Sequence, residues 1–181
     1  IIQSVDIYEI YEDDWWSFPR SPLVFEFYWN DQNFVLINNH LKCCSGTENE
    51  ARRESASLLL ELYIETYFPN EQVIVVGDWN DEIETNNANQ PFWNFISNSV
   101  NYQFTDMEIA EGNSYYWSYP TWPSHIDHIL ITDELFDTFN NGNSTVQTYL
   151  IDEYLEGGWS EYDAILSDHR PVALKLQFNG E

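Results

Sequence analysis

Positive charge is nearly missing from this sequence. Six lysines and arginines stand against 31 aspartates and glutamates, a formal charge of −25. A surface of that sign repels polyanions at long range and offers little area for neutralising phosphates. A broad basic patch for nucleic acid is thereby excluded. Any phosphate-bearing ligand has to be met locally, through a bound cation or a few placed basic groups. Solubility in salt or in cold water accounts for the acidity as well. Three of the six basic residues, Arg20, Lys42 and Arg170, sit beside the motifs described below.

Cysteine is almost absent too. The two present are adjacent, Cys43 and Cys44, and two cysteines alone build neither a zinc site nor a disulfide framework. A strained vicinal disulfide and a pair of reduced thiols both remain open. Long apolar runs are lacking: no stretch of about 18 residues is uninterrupted, so no helical membrane span is expected. The opening IIQSVDIYEIYEDDWW has no basic segment ahead of an apolar one and no initiating Met, so it does not read as a signal peptide. The expectation is a natural N-terminus further upstream. Acidity and aromatic richness favour an exported protein, extracellular or periplasmic.

What is abundant is core material. The 181 residues are 43% hydrophobic and 17% aromatic, enough for one domain spanning 1–181 and unlike a disordered acidic tail. Leu23–Trp29 and Phe34–Asn39 are rich in β-branched and aromatic residues, with a turn cluster at 30–33, and predict a hairpin. Thr47 and Glu50 have the spacing of a capping box. A helix is predicted after them, with Ala51, Ser55, Leu58, Leu59, Leu62 and Thr66 at helical spacing and Pro69 beyond its end. Val73–Val76 is wholly apolar, as in a strand covered on both faces. A short helix is predicted over 91–98, a long aromatic loop over 107–124, a buried strand at Ile129–Ile131, a short helix over 132–139 and a strand at Val172–Phe178. Hairpins beside helices predict layered α+β packing.

Four strand ends carry the chemistry. In VIVVGDWND a buried strand runs into Gly77, and Asp78 and Asn80 lie two apart, so an extended backbone turns them the same way. One carboxylate and one amide on one side suit a hard cation or a water; an ordinary Asp/Asn turn has the same look. LSDHRPV places Asp168 and His169 before the last strand. SHIDHILIT places Asp127 between His125 and His128, where a buried Asp can fix an imidazole tautomer. NNHLK ends a strand with His40, where a lone histidine is more often structural than catalytic. Strand ends of a layered sheet converge on one rim, where sites are commonly built.

Taken in order, NNHLK, GDWND, SHIDHIL and SDHRPV resemble the endonuclease/exonuclease/phosphatase superfamily, over about Arg20 to Phe178. The SHIDHILIT form and the aromatic loop before it look like bacterial, often exported, nuclease-like members. The resemblance implies a deoxyribonuclease I-like α/β sandwich, two mixed sheets flanked by helices, of which this chain is the C-terminal two-thirds. It implies metal-dependent phosphodiester hydrolysis, with a nucleic acid substrate, DNA or RNA. Phosphatase or phospholipase C-type hydrolysis of lipid or inositol phosphates is the alternative within the fold.

Carried over by position, the resemblance makes Asp78 the group that aligns or deprotonates the attacking water, and Asn80 a contact to phosphate and metal. Asp168 lies near the cation, His169 is a proton-transfer or phosphate-stabilising group, and Asp127 orients His169. His40 stabilises the phosphate or protonates the leaving oxygen, and Arg20 reaches a phosphate. The implied metal ligands are Asp168, Asp78 and Asn80, for Mg2+ or else Mn2+ or Ca2+. His125 and His128 are expected to be structural neighbours. Tyr115, Tyr116, Trp117, Tyr119 and Trp122 either pack the loop on the sheet or stack on bases.

The sequence departs from the family in one respect. The Asn of the family's first strand and the Glu that is its principal metal ligand are not found; Glu9, Glu12 and Glu26 stand in the wrong context. The expectation is that about 90 residues precede Ile1, judged from usual domain size, and that this missing segment is a structural partner. A non-catalytic fragment without the metal-binding Glu is the further alternative.

Overall fold

The computed structural model describes residues 2–178. Its centre is a mixed sheet built from β1 (Ile2–Glu9), β2 (Leu23–Trp29), β3 (Gln32–His40), β4 (Gln72–Asp78), β5 (Tyr102–Phe104) and β6 (Asp127–Thr132), in the order β1-β2-β3-β4-β6-β5. β3 and β4 are parallel, joined by the long helix α1 (Thr47–Tyr67), and the other neighbours are antiparallel. The short helices α2 (Trp93–Ser97), α3 (Met107–Ala110), α4 (Phe136–Phe139) and α5 (Gly158–Ile165) lie in the connections. A second, two-stranded sheet pairs β7 (Thr145–Thr148) with β8 (Val172–Lys175). This is the expected α+β, deoxyribonuclease I-like layering.

Period-2 alternation decides what each face buries. Val35 and Ile37 of β3, Val73 and Val75 of β4 and Leu130 of β6 join Ala56, Leu60 and Ile64 of α1 in the main core. Phe34 and Ile131 point the other way and pack with Ile74, Leu174, Leu176 and Phe178. The site residues inherit this second face.

The hairpin forms with a tighter turn than the sequence indicates. Only Asn30 and Asp31 form the loop, both at positive φ (50° and 60°), as a primed two-residue turn requires. The helix forms where expected, but its capping box does not. Gly46, at φ 112°, is the cap residue and no side chain bonds there. Thr47 is already the first helical residue, one position too late to cap.

The buried face of α1 also differs from the apolar register. Arg52, Arg53, Ala56, Ser57, Leu60, Tyr63 and Ile64 are buried, while Leu58 and Leu62 are 50% and 57% exposed. Polar groups sit inward because each has a partner. Arg52 donates to the carbonyl of Trp15, Arg53 pairs with Asp81, and Ser57 donates to Asn94. The last strand is shorter than predicted, ending at Lys175; α3 interrupts the start of the expected aromatic loop; and β1, β5, β7 and α5 are additions that local pattern did not mark.

Candidate active site

Register brings three motifs into one row. His40 at the end of β3 lies opposite Asp78 at the end of β4, and Asp78 lies opposite Asp127 at the start of β6. All three share the face that carries Phe34, Ile74 and Ile131, by the alternation of their strands. His40 Nε2 is 3.3 Å from Asp78 Oδ2. His169 arrives from the loop before β8, and its Nδ1 lies 2.7 Å from Asp127 Oδ2. The ligand atoms of Asp78, Asp127 and His169 all fall within 4.8 Å of one another.

The turn after β4 is set by two residues. Gly77 is at φ 137°, and a Cβ there would collide with the carbonyl oxygen of Asn39 on β3; only glycine lets the two backbones approach so closely. Asn80 is at φ 57°, in the left-handed region that Asn tolerates. Its backbone N–H donates to Asp78 Oδ1 and its Nδ2 donates to Asp78 Oδ2, both at 2.9 Å, and Nδ2 also donates to the carbonyl of Leu41 at 3.2 Å. With both amide hydrogens engaged, the carbonyl oxygen of Asn80 is the group left for a cation. Trp79, fully buried, anchors the turn by donating its Nε1–H to the carbonyl of His128 at 3.1 Å.

The row borders an open cleft of about 1020 Å³. His40, Asp78, Asn80, Asp127, Asp168 and His169 all line it, together with Tyr119 and Trp122. Asp168 is exposed and stands outside the tight group of three. Arg20 is exposed, and its charge acts on His40. Arg170 is removed from the site: it is buried, and its Nε and Nη2 donate to the two carboxylate oxygens of Asp152 at 2.9 and 2.6 Å. Arg52 and Arg53 are buried likewise. Half of the six basic residues are thus consumed by structure.

The electrostatics of the row follow from burial and like charge. Burial, then the neighbouring charge of Asp127, raises the Asp78 carboxyl to about 6. Burial alone would lower His169, but its bond to Asp127 and the charges of Asp127, Asp78 and Asp168 outweigh this and raise it. His40 is lowered, by burial first and then by the charges of Arg20 and His169.

Two opposed carboxylates short of positive charge are a place where a divalent cation is favourable. The grouped donors are the carboxylate oxygens of Asp78 and Asp127 and an imidazole nitrogen of His169, with the Asn80 amide beside Asp78; the oxygens suit a hard cation such as Mg2+, Mn2+ or Ca2+. Asp78, Asn80 and Asp127 are the residues that fit, with Asp168 alongside. None of Glu9, Glu12 and Glu26 lines this cleft, and Glu26 instead accepts from the Tyr8 hydroxyl at 2.6 Å; Glu50 and Glu82 are the glutamates that do line it.

His125 and His128 are not part of the cleft. Both are buried and meet Asp106, which is fully buried. His125 Nε2 lies 3.0 Å and His128 Nδ1 2.7 Å from Asp106 Oδ2. Backbone Ser118 donates to His125 Nδ1, so that ring carries its proton on Nε2. His128 Nε2 faces the carbonyl of Asp81 at 2.9 Å. Both partners of His128 are acceptors, so it is a doubly donating imidazolium. Burial works against both charges, but the mutual attraction wins: His128 is raised and Asp106 is held well below the usual carboxylate range.

Two contributors escaped the sequence reading, Asp106 and Arg53. Asp106 precedes a short helix with no motif around it. Arg53 sits inside α1, yet its Nε and Nη2 donate to Asp81 Oδ2 at 3.0 and 2.7 Å, fixing the segment just after Asn80. Tyr119 places its ring centroid 4.9 Å from that of His169. The aromatic loop divides: Trp117 is half-buried, whereas Tyr115, Tyr116 and Trp122 are exposed.

Comparison with known proteins identifies the family and the fold. The model of the Endonuclease/Exonuclease/phosphatase family matches residues 4–169, and the chain belongs to that family, whose chemistry is hydrolysis of phosphate esters. The fold is similar to that of D. rerio TDP2, solved with single-strand DNA product, at TM-score 0.64 and 13% identity over 98% of this chain and 68% of that one. It is also similar to the 3′ phosphatase NExo from Neisseria, bound to product DNA hairpin, at TM-score 0.62 and 13% identity over 98% of this chain and 72% of that one. A mannosyl-6-phosphatase from Bacteroides thetaiotaomicron matches at TM-score 0.54 and 16% identity, over 98% and 67%. The chain spans only 51% of a TDP2 from C. elegans. A sequence comparison with curated proteins gives no match.

Proposed function

We propose that this cleft hydrolyses phosphodiesters of nucleic acid, DNA or RNA, by in-line attack of a water positioned at Asp78. The observation that carries the reading is the row His40–Asp78–Asp127 closed by His169, which gathers one base, one oriented imidazole and a second imidazole from four separate segments. Asp78, at the end of β4 with both carboxylate oxygens held by donors from Asn80, is the carboxylate placed to align the attacking water. Asp127 holds His169 by Nδ1, which leaves Nε2 to donate to a phosphoryl oxygen. That donation strengthens as charge develops on the phosphoryl group. His40 donates to the leaving oxygen, and Arg20 adds positive charge beside it.

Asp78, Asn80 and Asp127, with Asp168, would hold a divalent cation. Bound there, it would supply charge that offsets the phosphate and stabilises the leaving oxyanion. Local charge of this kind reconciles a net −25 with an anionic substrate.

Nucleic acid is favoured by Trp122, 74% exposed, and Tyr119 on the same cleft, which offer stacking surfaces to bases. Two fold neighbours are solved with DNA, which supports the same choice. A sugar-phosphate phosphatase among the neighbours keeps small monoesters as the second reading. Nicking of supercoiled plasmid or cleavage of RNA in Mg2+, compared with phosphate release from a small monoester, decides between them. Turnover of neither polymer, with release from the monoester, would overturn the nuclease reading.

A further inference from the structure

The cleft has a second reactive feature, on the turn between β3 and α1. Cys43 and Cys44 are free, both line the cleft, and their Sγ atoms are 2.7 Å apart. Neighbouring side chains of an extended strand diverge, so this approach needs a bent backbone. Cys44 supplies the bend at φ 77°, uncommon for a residue with a Cβ. Arg53 holds it in place: Nη1 donates to the carbonyls of Lys42 at 2.8 Å and Cys44 at 3.0 Å, on either side of the pair. Arg53 is 2% exposed and tied to Asp81, so the clamp is rigid.

Chemistry narrows what such a pair can take. Lys42 Nζ lies 3.7 Å from Cys43 Sγ. The Cys43 thiol is lowered, first by its bond from Cys44 and further by the charges of Lys42 and Arg20, which outweigh burial. The thiolate is the ligating and nucleophilic form. A disulfide here would close a strained vicinal ring, because adjacent Cα atoms lie about 3.8 Å apart across a trans peptide, short of the roughly 4.4–6.8 Å that disulfides usually span; such strain makes the bond easier to reduce, which returns the two free thiols. Four-coordinate zinc is excluded because no His, Asp or Glu joins the pair as a third donor among the described residues. A trivalent metalloid needs only two sulfurs, because it carries its own third substituent and binds them at a sharp angle.

We infer that Cys43 and Cys44 form a preorganised dithiol site, on the wall of the catalytic cleft, that chelates one trivalent metalloid such as an arsenic(III) species. With an aryl arsenoxide the step is balanced without redox change. Two As–S bonds form, the arsenic–oxygen bond breaks, and the two thiol protons leave with that oxygen as one water.

The test is intact-mass spectrometry of the protein with phenylarsine oxide. The expected result is a single adduct that survives excess 2-mercaptoethanol and is removed by 2,3-dimercaptopropanol. Cys43→Ser and Cys44→Ser, each checked for native circular dichroism, should lose it. No adduct surviving the monothiol, or an adduct persisting in either folded variant, overturns the site. Loading is read by mass and does not depend on turnover, so a protein that binds the probe and hydrolyses no ester tells against the hydrolase reading alone.

Discussion

Asp127 reaches across 42 positions of sequence to hold Nδ1 of His169 at 2.7 Å. That contact closes the row begun by His40 and Asp78, and it sets the first prediction. Asp127→Asn removes the charge that raises His169 and lets an amide NH2 face its Nδ1, so that one tautomer is no longer enforced. Hydrolysis should fall about 10²–10⁴-fold, the usual worth of a positioned acid or base. Circular dichroism should be unchanged. Parental turnover in the folded variant would remove Asp127 as the group that orients His169 for the reaction.

Asp78→Asn should abolish hydrolysis yet stabilise the fold at neutral pH. The Asp78 carboxyl is raised from 3.8 to about 6 in the folded chain. A raised group contributes stability below its unfolded value and loses it as pH climbs through the folded one, so ionised Asp78 costs stability above about pH 6. Each pKa unit corresponds to about 1.4 kcal/mol, so the gain should approach about 3 kcal/mol at pH 7, less whatever the lost bonds to Asn80 contribute. Adding Mg2+ or Mn2+ should raise the melting temperature of the parent more than that of the variant. An equal rise in both would place the cation elsewhere.

The Asp106–His128 pair predicts a stability loss on the alkaline side. His128 is raised in the fold, so its contribution is complete below the ordinary histidine value of about 6.5 and declines as pH rises through the folded value. Asp106 is depressed, so its contribution is present at neutral pH and fails only in strong acid. Thermal melts from pH 6 upward should show a decline that His128→Gln flattens, at the cost of a lower melting temperature throughout. A parent curve as flat as the variant's would refute the imidazolium.

Arg53→Met should cost about 3 kcal/mol, the scale for removing one partner of a buried ion pair. It releases Asp81 beside Asn80 and also frees the carbonyls of Lys42 and Cys44. Urea unfolding gives the stability loss. A loss no larger than that of an exposed pair, under about 1 kcal/mol, would show the clamp to be dispensable.

Trp122→Ala tests the polymer substrate. Stacking of one base on an aromatic ring is worth about 1–3 kcal/mol, so KM for single-stranded nucleic acid should rise about 5- to 150-fold. Turnover of a small phosphate ester should stay at the parental level. Equal loss on both substrates would assign Trp122 to the integrity of the cleft wall.

The sequence by itself determined the chemistry at the strand ends and the elements that carry it. The β2–β3 hairpin, the apolar strands β4 and β6, and the span of α1 are written in short-range patterns, because alternation, turn residues and helical spacing act over a few positions. His40, Asp78, Asn80, Asp127 and His169 were legible as candidates for the same reason. Tertiary structure decided the rest. It turned the other face of α1 inward, because Arg52, Arg53 and Ser57 find partners there that no local pattern reveals. It took Arg170 out of the site and gave it to Asp152, and it paired β1, β5 and β7 each with the next strand of the chain, across connections longer than a local pattern spans. Above all it set the register that puts His40, Asp78 and Asp127 abreast. Burial, pairing and charge between distant residues are properties of proximity, and proximity exists only once the chain has folded.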